Sequence, residues 1–346
     1  MSIVGIIANP ASGRDIRRLV ARASVFGNNE KVNILQRILL ALDTLGVEEA
    51  VIMPDSFGLG LRALDGLDLP SLRASILEMP MAGTAEDSSR AAAMMRERGT
   101  GCIVVLGGDG TNRVVAKTSG GVPIVPVSTG TNNVFPSMVE GTVAGMAAGL
   151  VATGAVVPDD VTYRAKRLEL YLGGQLSDIA LIDVVTSSDL WVGTRAIWDP
   201  ARVGEIVLAQ AEPGSIGISS VGSCLGTLDR LDGHGMYLAL GEGGTQLLAP
   251  VAPGLISRVA IREHRMLSIG ESVTLSSDAS TIALDGEREI EIYERQAITV
   301  QLTLKGPLVV DIRRCMEAAA RSGVFCQPGP PPTAHPGPDD SLDRRE

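Results

Sequence analysis

Residues 102–112 read CIVVLGGDGTN, and this stretch decides the fold of the first half of the chain. Its first five residues are apolar and rich in β-branched side chains, which is typical of a strand buried on both faces. A glycine-rich turn follows directly, and residues 113–118 have a helix-like pattern. The sequence therefore predicts a buried strand that ends in a tight loop and passes into a helix.

The loop between this strand and helix suits an anion. Gly107, Gly108 and Gly110 allow backbone N–H groups to approach an anion closely, and a helix N-terminus adds partial positive charge. The charge of Asp109 would repel a phosphate, so this residue indicates a role other than phosphate binding. It would take a proton from an acceptor hydroxyl or hold Mg²⁺ against phosphates. The alternative is a purely structural turn in which Asp109 caps the helix.

Two more polar loops follow predicted strands. The loop STGTNN at 128–133 follows a strand over 122–127, and hydroxyls and amides at such a position suit phosphate or ribose contact. The loop NPASGR at 9–14 follows a strand over 3–8, and its Arg14 is either a phosphate ligand or a solvated surface residue. Because the carboxyl ends of parallel strands meet at one edge, we expect the loops to flank one crevice.

Strand and helix signals alternate in the first half, which predicts an α/β domain with a mostly parallel sheet and helices on both faces. From about Thr162 the chain changes to short strands separated by glycine turns, which predicts a mainly antiparallel, sandwich-like β domain. The predicted helices are 32–45, 85–98, 139–158 and 311–322, and further strands are 49–54, 72–78, 167–172, 177–186, 237–240, 272–276, 281–284 and 297–304. Predicted turns lie at 173–174, 232–233 and 241–244.

These patterns divide the chain into four parts. The predicted parts are an α/β domain over 1–158, a β-rich domain over 159–312, a C-terminal helix over 313–326, and a disordered tail rich in Pro, Gly and Asp over 327–346.

The composition excludes several classes of protein. The chain has 346 residues, of which 45% are hydrophobic and 3% aromatic, and its net charge is −10. Few aromatic rings argue against stacking on single-stranded nucleic acid, and the acidic balance argues against a broad surface for a phosphate backbone. We therefore expect no nucleic-acid partner, although one small basic pocket for a nucleotide is compatible with this charge.

The cysteines and histidines form no metal or disulfide pattern. The 4 cysteines lie far apart and the 3 histidines lack ligand spacing, which indicates isolated thiols in a reducing cytoplasm. The N-terminus has no basic segment that would begin a signal peptide. The apolar stretch 139–158 consists largely of Ala, Gly and Thr, so it predicts a tightly packed helix. We expect a cytoplasmic protein with no membrane partner.

Several well-known nucleotide and hydrolase motifs are missing from the sequence. It contains no Walker A sequence and no GxGxxG at a strand–helix junction, and it has no nucleophile elbow. Neither a P-loop nor a standard dinucleotide-binding fold is indicated.

The motifs resemble those of the ATP–NAD kinase and diacylglycerol/sphingosine kinase superfamily. The first loop is similar to that of the lipid-kinase branch, and the second half is similar to the NAD-kinase branch. The sequences of the loops at 9–14 and 128–133 look most like those of the acetoin-catabolism protein X subgroup. The resemblance covers about residues 3–312 and rests on GGDGT at 107–111, the loop at 128–133, NPxSG at 9–13, SSVGS at 219–223, LAPVAP at 248–253, Ser257-Arg258 and LDGE at 284–287.

The resemblance implies an NAD kinase-like fold and an ATP-dependent phosphotransferase. Asp109, Asp285 and Glu287 would be catalytic, and Asp109 and Asp285 would hold Mg²⁺. Without the family context, the favoured interpretation of Asp285-Gly286-Glu287 is a charged hairpin turn between strands. The implied nucleotide-binding residues are Asn9, Ser12, Gly13, Gly107, Gly108, Gly110, Thr111, Asn112, Thr129, Gly130, Thr131, Asn132, Asn133, Asp183, Ser220 and Ser223.

The chain departs from the NAD-kinase pattern at two places. Ile182 stands where that branch has an amide before the acid Asp183, and Cys224-Leu225-Gly226 follows Ser223 where that branch has an aromatic ring. Each loss would remove on the order of 1–3 kcal/mol of NAD binding.

Three functions are compatible with these residues. The first is a small-molecule kinase that uses ATP and Mg²⁺, with the NAD 2′-hydroxyl as the default acceptor and a metabolite such as a diol as another. The second is a non-catalytic nucleotide-binding or regulatory protein on the same scaffold. The third is a lipid kinase, which ranks below the first because the sequence shows no basic amphipathic helix. The resemblance also implies self-association into a homo-oligomer through the β-rich domain.

Overall fold

The computed structural model describes residues 1–13, 26–130, 132–188, 200–276, 278–293 and 296–326. Arg14 and Thr131, to which the sequence assigns nucleotide contacts, lie outside these ranges, as does the predicted tail 327–346.

A seven-stranded sheet organises the first half of the chain. Its strands stand in the order β3-β2-β1-β4-β5-β17-β6, numbered along the chain. Neighbours pair in parallel from β3 to β17, and β6 pairs antiparallel with β17 at the edge. The strands are β1 (Ile3–Ala8), β2 (Glu49–Ile52), β3 (Arg73–Ile76), β4 (Cys102–Gly107), β5 (Ile124–Ser128), β6 (Thr162–Arg164) and β17 (Leu308–Val310).

Helices cover both faces of this sheet. Along β1, Val4 and Ile6 join the core on one face, and Ile3 and Ile7 join the core on the other. This alternation follows the two-residue period of a strand and explains why the whole strand reads as apolar. The predicted parallel α/β architecture is confirmed. The helices of the described chain are α1 (Asn28–Thr44), α2 (Leu59–Leu64), α3 (Glu86–Glu97), α4 (Asp109–Ala116), α5 (Gly141–Ala152), α6 (Pro158–Val161), α7 (Ser220–Ser223) and α8 (Ile312–Arg321).

The second half forms two antiparallel sheets. Their orders are β12-β11-β10-β9-β14-β15 and β13-β16-β7-β8, and one apolar cluster contains residues from both. The predicted β-rich architecture is therefore confirmed. The strands are β7 (Arg167–Leu172), β8 (Gln175–Ala180), β9 (Asp183–Ser187), β10 (Val203–Leu208), β11 (His234–Ala252), β12 (Leu255–Ser268), β13 (Ser272–Leu275), β14 (Thr281–Leu284), β15 (Glu287–Glu291) and β16 (Ile298–Thr303).

The structure corrects one strand prediction and one turn prediction, and it contains a long strand that was not predicted. The segment 177–186 forms two strands, β8 and β9, which belong to different sheets. Leu181 and Ile182 lie between the two strands. The glycines at 241–244 form an irregularity within β11, since Leu240 and Thr245 both pair with Ile261. Strand β12 escaped prediction because its residues 262–266 are all exposed, so they show no apolar alternation.

The two halves are joined by paired strands. Strands β6 and β17 fall within the predicted second part, 159–312, yet both belong to the first sheet. Helix α8 packs through Cys315 and Ala319 into the same core as α5. The β-rich region therefore leaves the α/β region after β6 and returns to it at β17.

Helices α1 and α5 approach each other closely through small residues. A Cβ at Gly145 would lie 2.8 Å from the carbonyl oxygen of Ile38 and 3.0 Å from Cβ of Ala41. The stretch predicted as a buried helix over 139–158 is thus a helix over Gly141–Ala152, packed as its small residues imply. Within the described ranges, no helix is long and apolar enough to cross a membrane.

We expect Gly145→Ala to destabilise the protein. The added methyl group forces α1 away from α5, which costs about 1–3 kcal/mol of overpacking even though alanine favours a helix. Urea unfolding measures the change. Gly121→Ala is the control, because a Cβ there meets nothing within 4 Å. Equal stabilities of the two variants would contradict this account of the packing.

Candidate functional site

The three polar loops meet at the carboxyl edge of the first sheet. Asn9 Nδ2 donates to Thr111 Oγ1 at 2.9 Å, which ties the loop after β1 to α4. Thr129 Oγ1 donates to Ser12 Oγ at 2.8 Å, which ties the loop after β5 to the loop after β1. Gly108 and Gly130 are partly exposed, so solvent reaches the edge where the loops join. The structure therefore brings these predicted residues together.

Three of the predicted glycines are required by close packing between the loops. A Cβ at Gly107 would lie 2.5 Å from Cβ of Thr111, and one at Gly108 would lie 2.9 Å from Oδ1 of Asn133. Gly13 has φ of 73°, and a Cβ there would lie 2.6 Å from the carbonyl oxygen of Thr129. A side chain at Gly13 or Gly108 would press against the loop after β5, and one at Gly107 would collide with Thr111 of α4.

Asp109 binds the loop after β5. It is the first residue of α4, and its Oδ1 accepts hydrogen bonds from the N–H groups of Phe135 at 2.8 Å and Val134 at 3.1 Å. Its Oδ2 also accepts from Val134, at 3.2 Å. The carboxylate thus fixes the backbone at 134 and 135, and its charge in the first turn also favours the helix.

The asparagines of the loops support loop backbone. Asn112 is fully buried and its Nδ2 donates to the carbonyl of Gly108 at 2.9 Å. Asn133 Nδ2 donates to Ser128 Oγ at 2.8 Å, and that hydroxyl donates to the carbonyl of Gly130 at 2.7 Å. These amides fix the shape of the loops around the edge.

Lys31 is a site residue that the sequence analysis missed. It lies in the first turn of α1 and is fully buried. Its Nζ donates to three carbonyl oxygens of the first loop, those of Asn9 at 2.9 Å, Pro10 at 3.2 Å and Ser12 at 2.8 Å. A usable signal was present, since Lys31 occurs four residues before the buried Leu35, on the apolar face of the helix.

Asp285 closes the break between β8 and β9. It is fully buried with a left-handed φ of 53°, and its Oδ1 accepts from the N–H groups of Leu181 at 2.9 Å and Ile182 at 2.7 Å. Asp183 completes the turn, because its Oδ1 accepts from the N–H of Gly286 at 3.1 Å. Burial raises the pKa of Asp285 well above its ordinary value, and the charges of Asp183 and Asp109 add to that effect.

Arg113 connects α4 to the β-rich region, and the sequence analysis did not identify it. Its Nε lies 3.5 Å from Oδ2 of Asp285, and its Nη1 lies 3.4 Å from Oδ2 of Asp178. The guanidinium opposes the rise in the pKa of Asp285. Lys117 Nζ, one turn further along the chain, lies 2.6 Å from Oδ1 of Asp178. These ion pairs fix the helix that follows the glycine-rich loop against two strand ends of the second half.

Glu287 and the serines of α7 occupy different surroundings. A Cβ at Gly110 would lie 3.4 Å from Oε2 of Glu287, so this carboxylate faces the first turn of α4. Ser220 Oγ donates to the carbonyls of Gly217 and Pro250, and Ser223 Oγ donates to the carbonyl of Ser220. The nucleotide contacts predicted for these serines stay predictions.

The carboxylates of the site form no metal cage by themselves. In the part of the chain that the structure describes, no group of three or more His, Cys, Asp or Glu side chains is arranged to hold an ion. Mg²⁺ commonly uses one or two carboxylates together with substrate phosphates and water. The donor chemistry of Asp109 and Glu287 fits that mode. The burial of Asp285 against Arg113 does not favour it as a ligand.

A parallel sheet with polar loops tied together at its carboxyl edge, joined to an antiparallel β region, defines an NAD kinase-like scaffold. Residues 4–155 match the family model described as ATP-NAD kinase N-terminal domain, and residues 166–305 match that of the acetoin catabolism protein X C-terminal domain. The chain is 39% identical over 332 residues to acetoin catabolism protein X of Cupriavidus necator, covering 92% of each chain. The chain belongs to the acetoin catabolism protein X family, which confirms the resemblance drawn from its motifs.

We expect Arg113→Met to destabilise the protein strongly. The substitution leaves the buried Asp285 without its guanidinium partner, and breaking one side of a buried ion pair costs about 3–5 kcal/mol. Denaturant unfolding measures the loss. Arg313→Met is the control, since the side chain of Arg313 is 88% exposed and pairs only at the surface with Glu317. A loss at Arg113 no larger than that at Arg313 would refute the role of this ion pair.

Asp285→Asn is expected to change how stability depends on pH. The folded protein holds the Asp285 proton more tightly than the unfolded chain, whose pKa is near 3.8. The contribution of this group to stability is therefore present at low pH and is lost as pH rises above that value. The unfolding free energy of wild type minus that of the variant should therefore fall as pH rises from 4.

The exposed carboxylate Asp68 provides the matched control for this series. Asp68→Asn makes the same carboxylate-to-amide change at the surface, so it shows what the chemical change alone does to the unfolding free energy. A wild-type unfolding free energy that stays constant or rises with pH, relative to that of Asp285→Asn, would overturn the assignment.

Proposed function

We propose that this protein transfers the γ-phosphoryl group of ATP to a hydroxyl of a small molecule, with NAD as the default acceptor. The observation that carries the proposal is the hydrogen-bonded junction of three loops at the carboxyl edge of β1, β4 and β5. Its members are glycine, serine, threonine and asparagine, the residue types that approach phosphates closely. The match of residues 4–155 to the ATP-NAD kinase N-terminal domain supports the same reading.

The chemistry depends mainly on positioning and charge. The acceptor oxygen forms a bond to the γ-phosphorus, the bond from that phosphorus to the bridging oxygen of ADP breaks, and the hydroxyl proton passes to a carboxylate or to water. Such transfers need alignment and charge stabilisation more than covalent help from the protein. Gly107, Gly108 and Gly110 would lie along the phosphates, and a bound Mg²⁺ would supply charge neutralisation.

The proposed duties of the acidic residues differ. Asp109 holds the loop at 128–135 by its amide groups, so we propose that it positions this loop and provides negative charge next to the acceptor. Glu287 faces the first turn of α4 and is the proposed proton acceptor. Asp285 supports the turn that carries Glu287. This division retains the three predicted catalytic carboxylates and separates their roles.

The buried position of Ile182 bears on the identity of the acceptor. Ile182 is 1% exposed and belongs to the apolar core together with Phe135, so its side chain offers no polar contact to a dinucleotide. A smaller acceptor, such as a hydroxy ketone or diol, is therefore a second candidate, and the name of the Cupriavidus relative links it to acetoin catabolism.

A regulatory nucleotide-binding protein is the alternative function. The observation in its favour is that the carboxylates of Asp109 and Asp285 both accept backbone hydrogen bonds, which a purely structural role would also require. A lipid kinase ranks lower, because the sequence shows no basic amphipathic helix that would face a membrane.

We also propose a cytoplasmic homo-oligomer. The support is strand β12, which lies at the edge of the six-stranded sheet and exposes Ile256 and Met266. Long edge strands with exposed apolar side chains are surfaces that proteins commonly cover. Light scattering in solution gives the mass of the assembly.

Wild-type protein incubated with ATP, Mg²⁺ and NAD should form NADP. In a parallel reaction, acetoin or 2,3-butanediol replaces NAD and release of ADP is measured. We expect Asp109→Asn to lower turnover about a hundredfold or more, because an amide cannot accept the same hydrogen bonds and carries no charge.

The control is Asp68→Asn, which makes the same chemical change at an exposed position away from the loops. It should keep wild-type turnover. ATP binding without turnover on any acceptor would favour the regulatory alternative, and absence of ATP binding would overturn both readings.

A further inference from the structure

We propose that Lys31 is a positioning residue that shapes the first loop, 9–13, to receive a phosphate group of the nucleotide. This inference rests on the proposed function, since it concerns the same site. It adds a buried cation that no motif of the sequence indicates. The ligand chemistry is a phosphate chain, as in a nucleoside triphosphate.

The contacts of Lys31 are unusual for a lysine. Its side chain is fully buried, and its ammonium group donates to the carbonyls of Asn9, Pro10 and Ser12. Transfer of a charged ammonium from water is costly, so such a group is retained only where its hydrogen bonds are well made. An ammonium group has three N–H donors, and the three carbonyls come from one four-residue segment of the first loop.

The direction of these carbonyls determines the direction of the loop amides. In a trans peptide, the carbonyl and the following N–H point to opposite sides. Since the carbonyls of Pro10 and Ser12 point to Lys31, the N–H groups of Ala11 and Gly13 point away from it. The Ala11 N–H donates to Asn9 Oδ1 at 2.9 Å, which leaves Gly13 as the amide proposed to meet phosphate.

The position of Gly13 supports this assignment. It has a left-handed φ of 73°, and its Cα lies 4.0 Å from where a Cβ on Gly130 would stand. The Gly13 amide therefore lies where the first loop adjoins the loop after β5. Lys31 favours an anion at this position in two ways. It turns the carbonyl oxygens away from the anion, and it adds positive charge behind the loop.

Calorimetry with ATP, adenosine and pyrophosphate tests the inference. In Lys31→Met, we expect the Kd for ATP and for pyrophosphate to rise roughly tenfold or more, because a charge-assisted hydrogen-bond network is lost. The Kd for adenosine should stay unchanged, since adenosine carries no phosphate. Lys31→Arg should recover part of the ATP affinity because it keeps the charge and the donors.

Arg37→Met is the matched control. Arg37 lies on the same helix, and its 40% exposed side chain pairs at the surface with Glu30 and Glu140. This variant removes the same charge from α1 without contact to the first loop, so its Kd for ATP should equal that of wild type. Thermal unfolding of every variant separates loss of binding from loss of the fold. Lys31→Gln, which keeps a donor but not the charge, replaces Lys31→Met if the latter does not fold.

Each outcome decides between the two proposals. Unchanged ATP affinity in a folded Lys31→Met or Lys31→Gln overturns the role of Lys31 and leaves the proposed function standing. Equal weakening of ATP and adenosine makes Lys31 structural only and overturns the inference. Pyrophosphate binding that depends on Lys31, without ATP binding in wild type, supports the role of Lys31 and overturns the ATP-dependent function. Wild-type protein that binds neither ATP nor pyrophosphate overturns both.

Discussion

The buried carboxylate of Asp285 is the interaction on which the arrangement of the two halves depends. One of its oxygens accepts from the amides of Leu181 and Ile182, which stabilises the segment between β8 and β9, two strands of different sheets. The other oxygen faces Arg113 of α4. A single side chain thus couples the sandwich to the helix that follows the glycine-rich loop. An unpaired carboxylate at this depth would be very costly, so the two halves keep their relation only while both sets of contacts are made.

Most polar residues of the recognised motifs face one another. Asn9 binds Thr111, Ser12 binds Thr129, and Asp109 binds the backbone at 134 and 135. These contacts convert three separate loops into one connected surface whose shape exists before any ligand arrives. Preorganisation of this kind favours binding, because the entropy of ordering the loops has already been lost in folding.

The first half of the fold was predictable because its signals are local. Strands such as β1 and β4 are continuous apolar runs bounded by glycine or asparagine, and both were identified within one residue of their ends. The partition of 177–186 into two sheets was not predictable, since the cause is a carboxylate about a hundred residues away in sequence. The role of Arg113 escaped for the same reason, since its partners Asp178 and Asp285 also lie far away in sequence. From sequence alone, a charged residue on a helix is predicted to be exposed to solvent, because its distant partners are not known.

The paired strands β6 and β17 have a consequence for the architecture of the chain. Immediately beyond them, the N–H of Gly306 donates to the carbonyl of Ala165 at 3.0 Å, and the N–H of Ala165 donates to the carbonyl of Pro307 at 3.0 Å. The β-rich region is therefore an insertion whose first and last residues lie within hydrogen-bond distance of each other. An insertion with adjacent ends can be exchanged for another of different shape without disturbing the sheet that carries it, provided that the new region supplies a partner for Arg113. This geometry allows a lineage to change what the second half recognises while the loops of the first half stay the same.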